Sequence, residues 1–219
     1  MSYAVLEGGC YYHHESIHGA RFRGRFARSI YTPELQPEDL RGFSAVLVAD
    51  RIHPAVLRRQ RRVLIEYLAG GGTLIVLGEN CAQQWAPQVQ WEFRPTNFWW
   101  WLDKKADPGL RIAAPDHPML RFVAPRDFVW HYHGLLHVPE GATAVTEIAP
   151  AADPEGRGGA LLYDHPHVAG SAGRLVVATL DPFYHHGSFF MPAATRFLAG
   201  LLDWMDHEFG GAGTETAEG

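Results

Sequence analysis

Thirteen histidines stand in 219 residues, and several fall where an α/β protein would place its chemistry. The stretch FVWHYHGLLH carries His131, His133 and His137. His131 and His133 are spaced i, i+2, so on a strand both side chains point to one face. Two imidazoles on one face ligate a divalent metal such as zinc or iron when a third histidine or a carboxylate meets them. Without a metal, the same residues hydrogen-bond loop backbone or line an organic-ligand pocket. DPFYHHG supplies the further groups, Asp181, His185 and His186. The candidate metal set is therefore His131, His133 and His185. Near neutral pH an imidazole also suits proton transfer. His131, His133, His185 and His186 are candidate general acids or bases, with Glu79 and Asp181 as carboxylate partners. His165 and His167, in DHPHVAG, share the i, i+2 spacing but sit beside a glycine turn, and surface exposure is expected of them.

The elements that must position these groups read as follows. Tyr3 to Leu6 is a short apolar strand ending at Gly8-Gly9, and Ser29 to Tyr31 is a weak second one. The continuous apolar run of residues 43–49, FSAVLVA, suits a strand buried on both faces of a parallel sheet. Pro54 fits the first turn of a helix, whose stripe is Leu57, Gln60, Leu64, Tyr67 and Leu68. Gly70-Gly71-Gly72 stops it, and Thr73 to Leu77 is the next buried strand, completing a right-handed βαβ unit. Residues 82–110 break the rhythm with Trp85, Trp91 and Trp99-Trp100-Trp101, and read as a long excursion over one end of the sheet. Three consecutive tryptophans cannot all face one way, so stacking on a sugar ring or a protein contact is open to them. Leu135 to Val145 and Ala160 to Tyr163 read as strands of a more antiparallel portion, with a surface loop between them at residues 149–159. Arg174 to Thr179 is a further buried strand. Residues 192–207 form a closing helix with Ala194, Phe197, Leu198, Leu201, Leu202 and Met205 on its stripe.

Ligands of open parallel sheets bind outside the carboxyl ends of the strands. Here those ends carry His13 and His14 after the first strand, and Asp50 and Arg51 after FSAVLVA. Gly78, Glu79, Asn80 and Cys81 follow TLIVL, and Asp181 and Tyr184 follow RLVVAT. These residues are the expected ligand pocket.

Hydrophobic content of 47% with 20% charged residues fits one globular domain over residues 1–209. The tail GGAGTETAEG, residues 210–219, has no apolar content and is expected to be disordered. A formal net charge of −5 argues against nucleic acid as the main partner. The local exception RFRGRFAR reads as a solvated edge or an anion contact. No run of about 18 apolar residues predicts a membrane helix, and MSYAVLEGG lacks the pattern of a secretory signal. Two cysteines make no disulfide framework, so a reducing, cytoplasmic location is expected.

Four stretches carry a family resemblance: LIEYLAGGGTLIVLGEN, PDHPMLRFV, GRLVVATLDPFYHHG and the closing helix with Asp203-Trp204. Their order over residues 43–206 is similar to the class I glutamine amidotransferase-like superfamily, and within it the ThuA-like (trehalose-utilisation) branch. The resemblance implies a flavodoxin-like three-layer α/β/α domain with a mostly parallel sheet, and a small polar ligand, a carbohydrate among the candidates. His13 or His14 stands where ThuA-like proteins place a histidine. The superfamily's glutaminase chemistry needs a cysteine at a tight elbow directly after the strand. Matching the strands puts Gly78 at that elbow, with Cys81 three residues beyond, so glutaminase activity is not expected.

Two functions follow as expectations. One is a pocket protein, enzymatic or not, that handles a small polar metabolite through its histidines. The other is a non-catalytic binding or assembly module, a homo-oligomer included, using the Trp-rich segment as its contact surface.

Overall fold

The computed structural model describes residues 3–95 and 107–210. The expectations for Trp99, Trp100 and Trp101, and for the tail beyond Gly210, lie outside those residues. Among the described residues, ten strands form one sheet in the order β2-β1-β3-β4-β10-β9-β7-β5, with β8 on the other edge of β9 and β6 beyond it. The parallel half consists of β1 (Tyr3–Glu7), β2 (Arg28–Tyr31), β3 (Ala45–Val48), β4 (Thr73–Leu77) and β10 (Arg174–Ala178). Antiparallel pairing adds β5 (Gln90–Phe93), β6 (Leu110–Ile112), β7 (Gly134–His137), β8 (Thr143–Ile148) and β9 (Gly159–His165). The mixed α/β architecture agrees with a flavodoxin-like fold.

The parallel half follows from its residues. Ala45, Val46, Leu47 and Val48 are wholly buried, as are Leu74, Ile75 and Val76. A strand apolar on both faces has to lie between two layers. Helix α2 (Pro54–Ala69) connects β3 to β4 and buries Leu57, Val63, Leu64 and Leu68. Helix α4 (Pro192–Phe209) buries the whole expected stripe from Ala194 to Met205, with Trp204 added to it. Each such Leu or Phe contributes about 1.5–3 kcal/mol relative to an exposed one.

Two helices are additions to the sequence reading. Helix α1 (Tyr11–His18) directly follows β1, and α3 (Pro182–Gly187) directly follows β10. They pack tightly: Ser16 Oγ donates to the Phe183 carbonyl at 2.9 Å, and a Cβ on Gly187 would lie 2.2 Å from the Tyr12 carbonyl oxygen. Only glycine permits that approach.

The region around residues 135–145 is corrected. It is two strands, β7 and β8, divided by an irregular stretch. The excursion contains β5 and β6, with Trp85 buried and Trp91 half-buried. Arg94, 1% exposed, pairs through Nε and Nη2 with both oxygens of Asp153, at 2.6 and 3.0 Å. This buried pair ties the end of β5 to the loop before β9. His117, from the DHP segment, accepts the Met119 N–H through Nδ1 and places Nε2 3.0 Å from Asp164. It is a structural latch. His165 is 4% exposed, with Nε2 3.2 Å from Gln88 Oε1. The expectation of surface exposure therefore fails for His165, because β9 turns it inward, and holds for His167.

Candidate functional site

Four strand ends meet at one edge of the sheet. After β3 the chain enters Asp50 and Arg51. Arg51 has φ 58°, a left-handed conformation that non-glycine residues seldom adopt. Asn80, fully buried, holds this turn in place. Its side-chain amide donates to the carbonyls of Ala49 and Leu77 at 2.9 and 2.7 Å, and its oxygen accepts the Ile52 N–H at 2.8 Å. Asn80 is thus a clamp between β3 and β4. Asp50 is also internal. Its carboxylate accepts the N–H groups of Phe183 and Tyr184 at 2.7 and 3.1 Å, which fixes the start of α3. Burial, and then the charge of Asp181, push the Asp50 carboxyl well above its ordinary range.

Fixing α3 aims Asp181 and His185 inward. Both are wholly buried. His185 Nε2 lies 2.8 Å from His131 Nε2 and 3.1 Å from Asp181 Oδ1. The second approach lacks hydrogen-bond alignment, so Oδ1 is buried without a donor. Burial, and then His185, lower His131 to about 4. It is a neutral imidazole, able to offer a lone pair. Burial opposes ionisation of Asp181, but His185 and Arg51 outweigh it and hold the carboxyl below its usual range.

The other oxygen of Asp181 belongs to Arg51. Oδ2 accepts from Nε at 2.9 Å and from Nη2 at 2.7 Å. The same Nη2 lies 3.0 Å from Glu79 Oε2 and 3.5 Å from His133 Nε2. Tyr184 stacks on the guanidinium, with its ring centroid 3.9 Å from Cζ. His133 Nδ1 is 3.5 Å from Glu79 Oε1, and burial lowers its pKa.

Two sets of possible metal donors result, each with its ligand atoms within 4.8 Å of one another: His131, Asp181 and His185, and Glu79, His133 and Asp181. The residues of the expected metal set are divided between these two groups. His131 and His185 belong together, but Asp181 completes their group and His133 belongs to the other. The strand geometry expected for His131 and His133 is corrected. Both lie in irregular backbone just before β7, and their rings meet edge to face at 5.1 Å.

Other candidates fall elsewhere. His186 turns away: Nδ1 is 3.0 Å from Thr195 Oγ1 and the ring packs on Phe22. His13 lies wholly buried. Its Nδ1 accepts the Gly8 N–H at 2.9 Å and its Nε2 lies 2.7 Å from the Asp50 carbonyl, so the proton sits on Nε2. Burial lowers its pKa to about 4. His14 is exposed on α1, its ring 5.0 Å from that of His18. Cys81 is half-buried with φ 47°, and its carbonyl accepts the Gln84 N–H at 2.9 Å.

Gly78 has φ 58°. A Cβ there would stand 2.6 Å from Asp50 Cβ and 2.8 Å from Asp181 Cβ. The elbow after β4 is therefore filled by two neighbouring aspartates, and no side chain fits in it. The sequence reading missed the Arg94–Asp153 pair and the bracing role of Asn80. An arginine one residue beyond a strand, and an asparagine three residues beyond another, were the only signals for them.

No family model matches the sequence, and no curated protein matches it. Solved structures do share the fold. A cytoplasmic protein from Salmonella typhimurium aligns at 12% identity over 93% of this chain and 98% of its own, with a TM-score of 0.54. The mmIFT52 N-terminal domain aligns at 14% identity over 92% and 96%, with a TM-score of 0.56. A ThuA-like protein from Bacteroides uniformis ATCC 8492 aligns at 7% identity over 94% and 91%, with a TM-score of 0.52. At these identities the likeness is one of fold: the chain has the α/β fold that ThuA-like proteins share.

Proposed function

We propose that the chain is a ThuA-like protein without glutaminase activity, which binds a small polar metabolite of the carbohydrate class in its histidine pocket around one divalent cation, zinc or iron. The observation that carries this reading is the buried convergence of His131, His185 and Asp181, with Asp181 Oδ1 lacking a hydrogen-bond donor. Two imidazoles and a carboxylate are the donor set that a borderline divalent ion takes. Bound there, the cation would polarise a ligand oxygen. The residues around it have separate tasks. His133, held below its ordinary pKa by burial, is a proton acceptor at neutral pH, and Glu79 is placed to orient it. Tyr184 and Arg51 form a flat wall. The carbohydrate class rests on the resemblance to ThuA-like proteins. The absence of glutaminase activity is supported by the filled elbow at Gly78. A reducing, cytoplasmic setting is supported by two free cysteines. No helix among the described residues is long and apolar enough to cross a membrane.

Metal analysis of the purified protein tests the reading. About one zinc or iron per chain, lost in His131→Ala, supports it. A metal-free protein that takes up neither ion on incubation refutes it.

The alternative is an assembly module. The Trp-rich contact surface expected for it lies largely outside the described residues. What favours it is a group of exposed aromatics: Tyr11, Phe189 and Phe190 are 64, 69 and 42% exposed, with Tyr11 and Phe189 6.5 Å apart. Light scattering on the wild type and on a Tyr11→Ser/Phe189→Ser variant tests it. An oligomer broken by the variant supports assembly, and a monomer in both opposes it.

A further inference from the structure

Asp181 is shared by the two donor groups, and its two oxygens face different partners. Oδ1 faces the imidazoles of His131 and His185. Oδ2 faces Arg51. In the second group, Asp181 Oδ2, Glu79 Oε2 and His133 Nε2 surround a single atom, Arg51 Nη2, at 2.7, 3.0 and 3.5 Å. That atom stands where an ion held by Glu79, His133 and Asp181 would stand.

From this geometry we infer that the pocket is a two-cation site in which Arg51 permanently fills one position, so that the protein binds one divalent ion and carries a second, latent metal site beneath the guanidinium. The inference rests on the metal reading proposed above for His131, Asp181 and His185. A carboxylate bridging two cations is the usual core of two-metal centres. A guanidinium can take the place of one ion because it brings positive charge and directed donors to the same oxygens. It differs in being unable to leave or to accept a lone pair. Arg51 is held firmly in that role. Tyr184 stacks on it, and Asn80 pins the adjoining Ile52 N–H.

The test is zinc stoichiometry at buffered free zinc, by equilibrium dialysis and elemental analysis. All variants carry His14→Gln and His18→Gln, which removes the exposed histidine pair on α1. Arg51→Gly empties the latent position, and glycine suits the left-handed backbone at this residue. The expected result is one zinc per chain in the parent, two in Arg51→Gly, and one in Arg51→Lys, which keeps a cation there. Adding Glu79→Gln to Arg51→Gly should return the count to one. One zinc in both the parent and Arg51→Gly would overturn the latent site and leave the metal reading standing. Two zincs in the parent would overturn it as well. A natively folded parent that binds none would overturn the metal reading and this inference together.

Discussion

His131 Nε2 and His185 Nε2 lie 2.8 Å apart in a site with almost no exposure. Two nitrogens on one tetrahedral ion, at bond lengths of about 2.0–2.1 Å, stand farther apart than this. Ion entry must therefore open the pair slightly and displace the proton between the two rings. Replacing either ring should weaken zinc binding by roughly 100-fold or more, at or beyond the loss that supporting residues around metal ligands cause. Competition with a chromogenic chelator, comparing wild type with His185→Ala, measures it. Equal affinities would remove these two rings from the metal site.

The buried His13 predicts a pH dependence of stability. Its folded pKa is about 4, below the ordinary 6.5 of a free imidazole, because burial disfavours the charged ring. Below pH 6.5 the unfolded chain takes up a proton that the folded chain refuses. The contribution is thus fully present above pH 6.5 and is lost as pH falls towards 4. Its size is on the order of 3 kcal/mol. Urea denaturation at pH 7.5 and 4.5 should show the fall, and His13→Gln should flatten that part of it. An unchanged slope in the variant would count against the assignment.

Gly78 should tolerate no side chain. Alanine there faces both Asp50 and Asp181 through their Cβ atoms, and the left-handed backbone adds strain. Gly78→Ala should cost roughly 2–4 kcal/mol in stability and weaken zinc binding by shifting Asp181. Gly78→Cys should behave alike and hydrolyse no glutamine. A stable Gly78→Cys protein with glutaminase turnover would contradict the reading of this elbow.

The Arg94–Asp153 pair should matter to folding. Removing one partner strands a buried charge, at a cost of about 3–5 kcal/mol. Arg94→Met should lose that much by chemical denaturation, whereas Arg94→Met combined with Asp153→Leu should recover most of it. A single variant within about 0.5 kcal/mol of wild type would show that the pair is screened by water.

Much of the parallel half could be read from the sequence, because its strands are continuous apolar runs and α2 lies between proline and glycine stops. The boundaries of β4 at Thr73 and Leu77 agree with the reading. Helices α1 and α3 were not legible. YYHHESIH has no clean apolar stripe, and α3 is six residues long, started by Asp50, a residue more than a hundred positions earlier. Local pattern cannot reveal such a long-range cap. The site was partly legible for a related reason. The rule that ligands sit at strand ends selected Asp50, Arg51, Glu79 and Asp181, and the i, i+2 spacing drew attention to His131 and His133. Which residue pairs with which depends on how α3 turns His185 inward and His186 outward, and that is decided by packing of α3 against α1 and α4.

The central claim is that His131, His185 and Asp181 hold one divalent ion. The most direct measurement is an anomalous-difference map at the zinc edge, from crystals grown with zinc. The account predicts a single peak in the pocket, about 2.0–2.2 Å from His131 Nε2, His185 Nε2 and Asp181 Oδ1, with Arg51 still on Oδ2. A pocket without a peak, its two imidazole nitrogens still 2.8 Å apart, would contradict it.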